Sequence, residues 1–141
     1  MPTNDIVSSS EKDFFAAYRT RGNQDFSGTI TYDIADINEG AGFNKNTGTF
    51  HAPEGGTYGF TFSGISGTET SWTRVFVYKD GSLHHYIVDG NDADTFNNIN
   101  SSWMMKLAQD EEVYLKVFGG KLHAVSDYPV IFTGNLLKLD D

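Results

Sequence analysis

Tyr58, Phe60 and Phe62 alternate with Gly59, Thr61 and Ser63. A period of two with one aromatic side predicts a half-buried strand, because successive side chains of an extended chain point to opposite faces. The same alternation returns where Val113, Leu115 and Val117 interleave with Tyr114, Lys116 and Phe118. Further strand-like runs, rich in β-branched and aromatic residues, lie at 29–32, 49–52, 74–79, 83–88, 103–107 and 130–139, the last interrupted at Thr133-Gly134. Residues 14–18 (FFAAY) form a short apolar run that fits either strand or helix, and little helical periodicity follows it. Turn chemistry separates the runs: Asn44 to Gly48, Pro53 to Gly56, Asp80-Gly81, Asp110 to Glu112 and Gly119-Gly120. Residues 38–44 are broken by glycines, and 89–100 read as a long acidic loop. Roughly eight to ten short strands at near-regular spacing predict an all-β fold, an antiparallel two-sheet sandwich or jelly roll.

The 141 residues suit one domain. Residues 1–12 are polar and read as a flexible leader, with the folded unit spanning 13–141. The chain has no cysteine, so it can hold no disulfide, thiolate zinc site or Cys nucleophile. A net charge of −9 disfavours phosphate backbones and anionic lipid, so neither nucleic acid nor membrane insertion is expected. No apolar run reaches the roughly 18 residues of a membrane span, and no signal peptide is visible in residues 1–12.

Catalytic patterns fail one by one. No Gly-x-Ser-x-Gly elbow occurs, Gly40-Ala-Gly42 lacks a third glycine, and Glu111-Glu112 are neighbours on a turn. No enzyme is expected. Asp89, Asp92 and Asp94 supply hard oxygen ligands suited to calcium, but Ala93 and Asn100 rule out an EF-hand. His84 and His85 are adjacent in a strand-like run and should point to opposite faces. Trp72 follows a polar loop and suits stacking on a sugar ring, whereas Trp103 sits in a strand-like run and suits packing. Lys121, His123 and Asp127 are polar candidates for ligand contact in the last loop, and Asp92 and Asp94 in the acidic one. Asn100-Ser-Ser102 is a glycosylation sequon.

The order of these segments resembles the globular-head domain of complement component 1q and its relatives in the tumour necrosis factor group. Phe15-Ala-Ala-Tyr-Arg19 resembles the family's opening strand, and Ile30-Thr-Tyr-Asp33 its second. Asn38, Gly40 and Phe43-Asn44, then Gly48-Thr-Phe50-His-Ala52-Pro53, resemble the middle signature. Gly56-Thr-Tyr58-Gly-Phe60-Thr-Phe62 resembles the central aromatic strand, LAQDEEVYL (107–115) the late motif, and Phe132-Thr-Gly134-Asn-Leu-Leu137 the closing strand. The likeness runs from 14 to 137, with one departure: Asp110-Glu111 replaces the usual Gly-Asp. No collagen-like stretch precedes the head.

The resemblance implies a jelly roll of about ten strands that assembles as a homotrimer, is secreted, and is no enzyme. It further implies lectin-like recognition of microbial glycans or lipopolysaccharide. It places calcium near the trimer apex, with Asp89 on the coordinating position, Asn97 where a second acidic ligand would stand, and Phe96 offering a carbonyl. Two other functions stay open: a protein-ligand head, cytokine-like or an oligomerising adaptor, and an acidic calcium-binding matrix protein.

Overall fold

A computed structural model describes residues 13–21, 25–67, 73–88 and 97–141. Among them the regular structure is all strand: β1 (Phe14–Arg19), β2 (Asp25–Thr29), β3 (Ile34–Glu39), β4 (Phe43–Asn44), β5 (Thr49–His51), β6 (Gly56–Ser66), β7 (Arg74–Lys79), β8 (Ser82–Val88), β9 (Asn98–Leu107), β10 (Glu112–His123) and β11 (Val130–Leu139). Every pairing is antiparallel. The first layer runs β3-β1-β11-β6-β9. In the second, β10 pairs with β7, which pairs with β8, and also with β2 and β5. The layers are stitched at one end, where Leu122 and His123 of β10 pair with Ser66 and Ile65 of β6. The expected two-sheet jelly roll is therefore present.

Alternation decides what fills the space between the layers. Tyr58, Phe60 and Phe62 are buried from β6, Val113, Leu115 and Val117 from β10, and Val75 and Val77 from β7. The aromatic centre is contiguous: Phe15 stacks on Phe43 at 4.4 Å and meets Phe132 edge-on at 5.1 Å. Removing each such ring from water is worth about 1.5–3 kcal/mol, and the ring pairs add to that. Residues 14–18, ambiguous between strand and helix, are a strand because Phe15 and Ala17 face this core and the run pairs with β11 on one side and β3 on the other.

Several boundaries differ from the sequence reading. The run at 29–32 is not a strand: β2 ends at Thr29, and Ile30 is held by its amide N–H donating to the Leu115 carbonyl at 2.9 Å. β3 takes up the acidic stretch 34–39, with Ile34 and Ile37 exposed, so core burial left no pattern to read there. β10 continues through Gly119-Gly120, where Gly119 adopts a φ of 77° and the register with β2 shifts. Finally, β11 is unbroken at Thr133-Gly134. Gly134 lies in the strand because a Cβ there would meet Phe15 at 2.5 Å and Phe60 at 2.8 Å.

Candidate functional site at the loop end

The stitched end gathers the termini of β6, β9 and β10. Its backbone is clamped by four hydrogen bonds. Ser66 donates its N–H to the Asn97 carbonyl at 2.8 Å, and Asn97 donates its own to the Ser66 hydroxyl at 3.3 Å. Gly67 N–H and the Thr73 hydroxyl both donate to the Lys121 carbonyl, at 2.8 and 3.3 Å. Past β10, Val125 and Tyr128 form an isolated bridge that closes the turn carrying Asp127.

Register sets one row across three strands: His123 pairs with Ile65, and Ile65 pairs with Asn98. Above this row lies a cavity of about 540 Å³ lined by Ile65, Asn98, His123, Val125 and Tyr128. Its floor is aliphatic, and its polar groups are an amide, an imidazole and a phenol. Tyr128 is 64% exposed and His123 is half-buried. An apolar floor with a few convergent polar groups is the usual make-up of a small-ligand site. The phenol ring can stack on a ligand ring while the amide and imidazole take hydrogen bonds from hydroxyls.

Of the residues singled out from sequence, His123 stands in this cavity wall. Lys121 and Asp127 are exposed nearby but do not line it. Lys121 and His123 belong to strand β10 and not to a loop, because the strand runs on through its glycines. Trp72, Asp89, Asp92, Asp94 and Phe96 lie outside the described residues, as does the leader 1–12. Asn97 is half-buried, with its backbone N–H and carbonyl both committed to Ser66. Among the described residues no group of three or more His, Asp or Glu side chains is placed to hold a metal ion. The described member of the calcium set is thus a neutral amide on a clamped backbone, and this alone does not make a cation cage.

Sequence reasoning places ligand contacts in the stretches 63–73, 89–101 and 119–128 but does not single out Ile65, Asn98 or Tyr128 within them. The acidic pattern of 89–100 reads as one loop that includes Asn98, yet β9 begins there. The single buried Ile99 between two exposed asparagines was the available signal.

A second feature lies where β8 meets β9. A bulge between Val77 and Tyr78 lets His84 and His85 touch, Nδ1 to Nδ1 at 2.7 Å, although adjacent strand residues ordinarily face apart. His85 packs edge-on against Trp103 at 5.1 Å, and Trp103 stacks on Phe60 at 5.6 Å. Trp103 is therefore a packing residue at the rim of the core. Burial, then the adjacent His84, lowers the His85 pKa from its ordinary value. Asn100, of the sequon, is exposed on β9.

A two-layered β head with a ligand-sized cavity at its loop end is a binding domain in architecture. Residues 14–137 match the C1q domain model, and the chain belongs to the C1q domain family. It is 32% identical over 128 residues to complement C1q tumor necrosis factor-related protein 3 of Homo sapiens, covering 88% of this chain and 50% of the relative. The same figures hold for the protein of that name from Mus musculus, so the chain spans about half the length of these curated relatives. Among solved structures, the globular domain of zebrafish complement 1qA superposes with a TM-score of 0.76 at 17% identity, covering 92% of this chain and all of that one. Murine APRIL superposes at 0.66 with 14% identity, covering 88% of this chain and all of that one.

Proposed function

We propose that this head is a secreted, homotrimeric recognition module that binds microbial glycans or lipopolysaccharide through its loop end. The observation that carries the reading is the His123–Ile65–Asn98 row under the cavity that Tyr128 overhangs. An aliphatic floor, an exposed phenol ring and two hydrogen-bonding side chains match the two faces of a sugar, one apolar and one hydroxylated. A single site of this size binds weakly. Three copies held together raise the effective concentration for a repetitive surface.

Self-association is supported by the outer face of the first layer. Phe14, Tyr18, Thr61, Met104, Thr133 and Asn135 alternate outward there, a mostly neutral surface with charge at Glu39, opposite Phe14, and at Lys106. In a chain of net charge −9, such a face is where copies can meet without repulsion. Calcium held by Asp89, Asn97 and the Phe96 carbonyl belongs to the same proposal, as do ligand contacts from Trp72, Asp92, Asp94, Lys121 and Asp127.

A glycan array probed in calcium and in chelator tests the reading. Binding to a subset of sugars is expected, lowered about tenfold by Tyr128→Ala, whose exposed ring can be lost without unfolding. Loss in chelator would support the calcium. Binding to no sugar, with a protein retained on pull-down, would replace this reading by the protein-ligand head.

A further inference from the structure

The outer face of the second layer carries a different surface. Alternation sends Phe76 and Tyr78 of β7, Tyr86 of β8, and Tyr114 and Phe118 of β10 outward, while Val75, Val77, Ile87, Val113, Leu115 and Val117 fill the core. Register then aligns the rings. Phe76 pairs with Tyr86 on one side and Lys116 on the other, Tyr78 pairs with Tyr114, and Phe118 pairs with Arg74. Tyr86, Phe76 and Phe118 form a row across three strands, with ring centres 5.5 and 4.7 Å apart. Tyr78 and Tyr114 stack in parallel at 5.1 Å. Tyr86 is 55% and Phe118 41% exposed. Exposed aromatic patches of this continuity mark interaction surfaces.

Charge names the partner. The chain is strongly acidic, yet the strand segments that build this platform, 74–79, 82–88 and 113–118, contain no Asp or Glu. They contain Arg74, exposed at the end of the row, and Lys116, whose Nζ lies 5.7 Å from the Tyr78 ring centre and 5.4 Å from that of Phe118. Glu112 opens β10 on the same outward side as Tyr114 and is paired with His51, and Glu111 just before it is paired with Lys79.

We propose that this face is a stacking platform for an acidic glycan chain, one bearing uronate or sulfate groups. The inference rests on the reading of the head as a glycan-recognition module and adds a second surface on the other layer. Pyranose rings present an apolar C–H face to aromatic rings, and rings placed at the strand spacing of about 4.8 Å suit successive sugars of an extended chain. Their anionic groups then meet Lys116 and Arg74, which are held by no carboxylate in the platform segments. A peptide is the poorer fit. Peptides usually add a strand at a sheet edge, and of the platform strands β8 alone has an unpaired edge, while Phe76, Tyr78 and Lys116 stand on β7 and β10, which are paired on both sides there.

The test uses the whole chain with polygalacturonate and its fully methyl-esterified form, the same backbone with and without charge. Polygalacturonate is expected to bind and the ester to bind more weakly. Lys116→Glu and Tyr86→Ser should each weaken polygalacturonate binding about tenfold, because the cation–ring cluster loses its charge or an exposed ring. Tyr128→Ala should leave it unchanged. Polygalacturonate binding that ignores both platform variants overturns the inference, as does no binding at all. Polyglutamate bound as tightly as polygalacturonate overturns the glycan assignment. A change in oligomer size in either variant makes the face an assembly contact and overturns it too. Array sugars lost only in Tyr128→Ala, with polygalacturonate unbound, would leave the loop-end reading standing while this one falls.

Discussion

His85 couples a packing position to proton binding. Burial beside Trp103, and then the neighbouring His84, favour its neutral form in the folded chain. Unfolding returns it to the ordinary value of 6.5, so over the interval below that value the unfolded chain holds more protons than the folded one. The sign follows: stability rises with pH through this interval and is lost as pH drops below about 6.5. Thermal melts between about pH 7.5 and 5 should therefore show a falling Tm, and His85→Gln should flatten that part of the curve. Asp33 acts separately and at more acid pH. Burial pushes its pKa up, but hydrogen bonds from the Thr20 hydroxyl and backbone N–H, together with its own backbone N–H and the Arg21 charge, hold it below the ordinary value. Its contribution is present above the ordinary carboxylate value and is lost as pH falls through the lowered one.

Among the elements, β11 depends most on a residue without a side chain. It lies between β1 and β6, and Gly134 leaves room for Phe15 and Phe60 to close over it. Gly134→Ala should lower unfolding stability by about 1–3 kcal/mol, read from the urea midpoint at unchanged slope, because two core rings must shift. From sequence, Thr133-Gly134 looked like a break, since a glycine in a strand pattern resembles a turn until its neighbours are known. Strands with an alternating buried face were legible: β6, β7 and the first half of β10 announce themselves through Tyr58, Phe60, Phe62, Val75, Val77, Val113, Leu115 and Val117. β3 was not, because its isoleucines face outward and its partners lie on β1. The candidate site was legible only at His123, since the row with Ile65 and Asn98 exists through cross-strand register, which no local pattern encodes.

For the molecule as a whole, the two outer faces divide the work proposed above. The mostly neutral face of the first layer suits copies of the same chain, and the aromatic face of the second, with Lys116 and Arg74, is left outward for ligand. Sedimentation equilibrium should give the mass of three chains. Met104→Glu places a charge at a side chain that is 68% exposed in the single chain, so it should yield monomers with an unchanged circular dichroism spectrum. Persistence of trimers in that variant would move the assembly contact elsewhere.

The clasp of Ser66 and Gly67 onto Asn97 and Lys121 is made largely of main-chain groups. Such contacts are indifferent to the identity of the residues that follow them. Asn97 and Lys121 enter the clasp only through their backbones, so a change of either side chain leaves these four bonds available. The side chains at this end can then vary while the two layers stay fastened to each other.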